Sequence, residues 1–190
     1  METLLNPLHI IALIVVAIGT ITDIRSRKIP NWLTFPAALL AVALQYLVNG
    51  YFGIIFAVSG WFTGALLTVA VKLAPLIFKR YTKVPIGYGD TKLIAAVGAF
   101  TSPLQVCVVF FYFCIFFGLL SVIKLATAMP WKLMSVMGSA ESLSAATPAD
   151  KEKLRAALKS TIPVAPAILL ATIFGIGLEK QTLQFLGFHV

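Results

Sequence analysis

Six apolar runs, separated by short polar turns, dominate this chain and leave few folds open to it. They read as helices over roughly 7–24, 32–49, 52–76, 88–101, 104–128 and 161–179. Runs this long and this free of charge are the mark of membrane-spanning helices rather than of a soluble core. Composition agrees: 59% of the 190 residues are hydrophobic and only 12% are charged, about half the charge of a soluble domain. The expected fold is all-α, a polytopic integral membrane protein with six transmembrane helices in one membrane domain over 1–190. A polar insert at 129–160 would carry an amphipathic helix on the membrane surface, opened by Thr147-Pro148-Ala149-Asp150.

The net charge of +8 calls for no nucleic-acid partner, because basic residues flanking membrane helices have the same effect. With six crossings, the turns after helices one, three and five hold nearly every basic residue, and those after helices two and four hold none. The positive-inside rule then puts the basic turns in the cytoplasm and both termini outside. The fourth run is short: Thr91 to Thr101 covers only about 16 Å, so the helix must start before Asp90 or the bilayer must thin around it. Near the N-terminus, Asn6 can cap the first helix with Pro7 at its first position. Gly60 and Gly64, four apart, permit close helix packing. Cys107 and Cys114 lie in one apolar run, facing lipid or core. Two cysteines cannot supply a four-ligand zinc site, and no metal or cofactor is expected.

Two stretches carry ionisable groups where they are costly. One is Thr22-Asp23-Ile24-Arg25-Ser26-Arg27-Lys28-Ile29-Pro30-Asn31, at the end of the first helix. The other is Gly87-Tyr88-Gly89-Asp90-Thr91-Lys92, at the start of the fourth. A carboxylate at the edge of hydrocarbon is a functional-site hypothesis by default. The structural alternatives are a solvated Asp23–Arg27 pair one helical turn apart, and a glycine turn with Asp90 as a helix cap. In the six-crossing arrangement both acids reach the cytoplasmic edge. Two carboxylates that approach one another hold a single proton between them. One can then take a proton from water while the other hydrogen-bonds a peptide carbonyl. Gly87 and Gly89 would let a substrate backbone come close.

Asp23 with Arg25, Lys28 and Ile29-Pro30-Asn31, followed by Gly87-Tyr88-Gly89-Asp90-Thr91-Lys92, resembles the type IV prepilin peptidases, intramembrane-type aspartyl proteases of the GxGD class. Ile162-Pro163-Val164-Ala165-Pro166-Ala167 resembles the proline-containing start of that family's last helix. The resemblance implies removal of a short basic leader from prepilin or pilin-like precursors at the cytoplasmic face of the inner membrane. It also implies Asp23 and Asp90 as the catalytic pair. Gly87 and Gly89 would shape the site, and Lys28, Pro30, Asn31, Pro163 and Pro166 are further motif positions. The chain lacks the insertion with two Cys-x-x-Cys pairs that larger, methyltransferase-bearing members carry, so it resembles the short, peptidase-only branch found with Flp-type or tight-adherence pili. Ala165 stands where a glycine is common. Archaeal preflagellin peptidases share the pair and are a second possibility for the substrate. The Tyr-Asp helix and Pro-Ala-Leu motif of signal peptide peptidase and presenilin are missing. From other classes, the same acids would serve as relay groups in a small proton-coupled transporter or channel, or the glycine motif would be a mere turn in a non-catalytic subunit. Oligomeric state is not legible in the sequence.

Overall fold

In the computed structural model of the protein, residues 6–77, 87–128 and 164–187 are described. Every element among them is helical: α1 (Pro7–Ser26), α2 (Asn31–Ile77), α3 (Tyr88–Phe100), α4 (Pro103–Ala128), α5 (Ala165–Gly177) and α6 (Glu179–Phe185). Three are long and apolar enough to cross a membrane, over Pro7–Ser26, Asn31–Leu73 and Pro103–Ile123. The expected surface helix after Thr147, and Pro163, lie outside the described residues.

Helix α1 begins as its sequence suggests, with the Asn6 side chain accepting from the Leu8 N–H at 3.1 Å and Pro7 in the first turn. It ends at Arg27, whose φ of 51° turns the chain left-handed and whose N–H closes on the Asp23 carbonyl at 2.8 Å. Helix α2 is two helices in effect. Gly50, at φ 59° and ψ −145°, breaks it, a conformation that favours glycine. The two arms fold back on each other: Ala38 and Val42 of the first share an apolar groove with Ala57 and Trp61 of the second. At Gly53 an added Cβ would collide with the Gln45 carbonyl.

The chain divides into two units, Met1–Phe116 with Pro163–Val190, and Phe117–Ile162. In the first unit, α3 is the central helix. Every residue from Leu93 to Phe100 is buried, against α1, both arms of α2, and α5. A helix apolar all round must be enclosed, and the small residues Ala95, Ala96, Gly98 and Ala99 let its neighbours come close. Gly60 and Gly98 meet backbone to backbone, and Gly64 sits against Ile94 and Ala95. On the far side, Gly175 of α5 packs on Val109 of α4.

The short central helix is enclosed by its neighbours. Helix α3 has 13 residues, about 20 Å, and starts two residues before Asp90. Its last carbonyls are not left bare in an apolar setting. Gln45 Nε2, from the first arm of α2, donates to the Phe100 carbonyl at 3.0 Å and the Thr101 carbonyl at 3.4 Å. Asn49 in turn donates to Gln45 Oε1 at 2.8 Å. At that same end, Gln105 of α4 donates to Glu179 of α6 at 2.6 Å, and Tyr112 and Thr182 share a hydrogen bond of 2.9 Å. Of the second unit, the described part is the last turns of α4, where the Ser121 hydroxyl bonds back to the Phe117 carbonyl at 2.7 Å.

Candidate active site

Asp23 lies in the last full turn of α1 and is 8% exposed. It is buried within the last turn of the helix and is not part of a solvated loop. Its Oδ2 instead accepts from the backbone N–H of Ala165 at 3.2 Å, in the first turn of α5. One turn earlier in α1, the Thr20 hydroxyl lies 2.8 Å from the Val16 carbonyl and 3.2 Å from the Ala165 carbonyl. Thr20 and Asp23 thus grip both sides of one residue of α5. Helix N-termini carry unpaired N–H groups and the positive end of the helix dipole, so the Asp23 carboxylate is held where negative charge is favoured.

Asp90 is arranged in the same way by a different helix. It sits in the first turn of α3, is 7% exposed, and its Oδ2 accepts from the Gly87 N–H at 2.8 Å. Gly87 is the cap residue with extended backbone, at φ −75° and ψ 164°. A Cβ there would come within 3.1 Å of Asp90 Oδ2. The two acids lie at one end of the helix bundle, and Asp90 is within electrostatic reach of both Asp23 and Lys72.

Gly89 serves the approach of α3 to the turn after α1. An added Cβ would meet Ile29 Cβ at 3.0 Å, and Ile29 is buried there. Pro30 follows, its carbonyl accepting from the Leu33 N–H at 3.1 Å as α2 opens. Asn31 joins the site through its side chain, since Lys92 Nζ donates to Asn31 Oδ1 at 2.8 Å and stands 5.3 Å from the centre of the Phe35 ring. Pro166 is in the first turn of α5, next to the residue that meets Asp23. Lys28 is different: it is exposed.

Three contributors were not among the expected site residues. The Ala165 N–H holds Asp23, the Thr20 hydroxyl meets the carbonyl of that same Ala165, and Lys72 reaches over from the second arm of α2. The Lys72 ammonium donates to the Gly87 carbonyl at 3.0 Å and to Thr91 Oγ1 at 2.6 Å, and lies 4.3 Å from the centre of the Tyr88 ring. Lysine and threonine stranded in apolar runs are the one sequence cue that pointed at them.

Two buried carboxylates within electrostatic reach of each other, each held through one oxygen by a backbone N–H, have the chemistry to share a proton and act on a carbonyl and a water together once they meet. Comparison with known proteins bears on that chemistry. No curated protein and no solved structure matches the chain. The model of the type IV leader peptidase family matches residues 10–123, a stretch that holds both acids, both of their motifs, most of α1, and all of α2 and α3. The match covers more than half of the chain, and on it the chain belongs to the type IV leader peptidase family.

Proposed function

We propose that this peptidase is an aspartyl endopeptidase that removes the short basic leader of type IV pilin-like precursors, with Asp23 and Asp90 as its catalytic pair. One observation carries the reading. Two acids from separate motifs are buried at the same end of the bundle, within each other's field, each with Oδ2 held by a backbone N–H. Burying two carboxylates together is costly, and in a peptidase the natural use for them is one shared proton.

In the mechanism we assign, the charged carboxylate accepts a proton from water as the water oxygen attacks the scissile carbonyl carbon. The protonated carboxyl donates to the carbonyl oxygen, giving a neutral tetrahedral diol. Collapse of the diol breaks the C–N bond. The amide nitrogen takes up a proton as it leaves, and the pair returns to its singly protonated state. One water is consumed, yielding one carboxylic acid and one amine. The backbone N–H groups of Gly87 and Ala165 hold each Oδ2 in place, so that Oδ1 of each acid would face water and substrate. Gly87 and Gly89 would keep side chains out of the path of the substrate backbone.

The setting we infer is a six-crossing protein of the inner membrane with its site at the cytoplasmic face and both termini outside. The basic residues crowd the turns next to Asp23 and Asp90 in the sequence, while the charge-free Gly50 turn joins the two arms of α2. The chain fits the short branch that cleaves without methylating. The test is incubation of the purified protein with a precursor carrying a basic leader. Mass spectrometry should find the leader released after a glycine and the new N-terminus unmethylated. Proton flux in vesicles without any cleavage would replace this reading with that of a proton relay.

A further inference from the structure

Lys72 is a charge in a costly place. It stands near the end of an apolar helix arm, after Leu66-Leu67-Thr68-Val69-Ala70-Val71. An ammonium in such a run needs partners, and among the described residues three come from one five-residue stretch at the start of α3. The Gly87 carbonyl accepts from it at 3.0 Å, Thr91 Oγ1 accepts at 2.6 Å, and the face of the Tyr88 ring lies 4.3 Å away. A lysine ammonium has three N–H groups, and Gly87, Thr91 and Tyr88 give each a use.

From these contacts we infer that Lys72 is a positioning residue for Asp90, acting through Gly87; this rests on the aspartyl reading above. Gly87 is the least constrained residue the chain offers, yet its N–H is the group that holds Asp90 Oδ2. Something must fix its carbonyl if its N–H is to stay aimed. Lys72 does so directly. It also does so through Thr91, which accepts from the ammonium and lies 3.3 Å from the same carbonyl as a donor. With the Gly87 carbonyl held from outside α3 and its N–H held by Asp90, the residue is fixed on both sides. The charge of Lys72 also acts on Asp90. Lys72 touches no reacting atom in this arrangement. Its part is to keep one carboxylate in register with the other.

The test is steady-state cleavage of a basic-leader precursor by the full-length protein, comparing Lys72→Met, Lys72→Arg, Thr91→Val and the Lys72→Met/Thr91→Val double variant. A catalytic group misplaced by about 1 Å loses rate on the order of 100-fold. Lys72→Met should therefore lower kcat by up to about that factor and leave KM unchanged, because substrate is not what Lys72 holds. Lys72→Arg keeps the charge and the donors and should recover part of the rate. Thr91→Val should cost less than Lys72→Met, and the double variant should be no worse than Lys72→Met alone, since the two act on one carbonyl. Asp90→Asn is run beside them. If Asp90→Asn is inactive while Lys72→Met keeps its kcat, or if Lys72→Met changes KM alone, the positioning role is wrong and the aspartyl reading stands. If Asp90→Asn still cleaves, the aspartyl reading itself has failed. Melting temperature in detergent separates a misfolded Lys72→Met from a misaligned one: a variant that melts well below wild type, with Lys72→Arg no better, would overturn the proposal in favour of a purely structural lysine.

Discussion

Replacing Gly60 or Gly98 by alanine should damage both stability and cleavage, although neither residue is near the acids. The two glycines face each other where the second arm of α2 crosses α3, and a Cβ on either would fall on the backbone carbonyl of the other. A backbone oxygen cannot rotate aside as the tip of a side chain can. The helices must separate by roughly 1 Å to restore an ordinary van der Waals distance. Overpacking of this kind costs about 1–3 kcal/mol, and with backbone on both sides the upper half of that range applies. For a chain of this length that is a fall of roughly 5–10 °C in melting temperature. The shift also reaches the site, because Asp90 lies eight residues from Gly98 on the same helix, about 12 Å along its axis. A displacement of this size lowers kcat on the order of 100-fold. Gly64→Ala should cost less, since its Cβ would meet the Ile94 carbonyl at 2.8 Å and a few tenths of an ångström relieve it. Gly118→Ala, with nothing among the described residues within 4 Å, should cost nothing. The assay is thermal unfolding in detergent together with precursor cleavage. Gly60→Ala and Gly98→Ala proteins that melt and cleave like wild type would refute the close crossing, and with it the account of how α3 is held.

Three further outcomes are expected. Gly89→Ala should lower cleavage more than it lowers stability, because its Cβ would press on Ile29 at 3.0 Å and tilt the start of α3 away from the turn after α1; equal loss of both, or of neither, would speak against this. Burial pushes the Glu179 carboxyl above its ordinary value of 4.5, so the folded protein holds that proton more tightly than the unfolded one, and stability falls as pH rises from about 4.5 through the raised value. Glu179→Gln, which can still accept from Gln105, should match wild type in melting temperature at low pH and exceed it above that window; a pH-independent difference would contradict the assignment. In a Cys-free background, a cysteine at position 50 should react with an impermeant thiol reagent in intact cells and one at position 27 should not, and the reverse pattern would invert the topology.

Much of this arrangement was legible before any coordinates. Asn6 and Pro7 mark the start of α1, Gly50 its own break in α2, and the Gly60–Gly64 spacing a close crossing. In each case the signal is local: a cap, a positive φ, a small-residue stripe. What could not be read depends on long-range backbone partners. The group that holds Asp23 is a peptide N–H at Ala165, and every residue but proline has one, so no side chain announced it. The same holds for the Phe100 and Thr101 carbonyls, which Gln45 satisfies. Gln45 and Lys72 are polar residues inside apolar runs, but their spacing does not say which partner either one meets. Lys72 counted as one more basic residue on the cytoplasmic side, when its contacts make it part of the Gly87–Thr91 turn. The partner of Gly60 was hidden because Gly98 sits in a run whose small residues look like ordinary helix filler. Helix α6 was missed, its seven residues being too few for periodicity to register.

The central claim is that Asp23 and Asp90 form one catalytic unit. Its most direct test is the rate of leader release by Asp23→Asn, Asp90→Asn and the double variant, each purified as a folded, membrane-inserted protein. Asparagine keeps the size of the side chain and can still accept from the Ala165 or Gly87 N–H, but it cannot share a proton or act as a base. The account predicts a loss of at least about 100-fold for each single variant. It also predicts that the double variant is no worse than either single, because members of one unit are not additive. Cleavage near the wild-type rate by either single variant, or losses that multiply in the double, would contradict it.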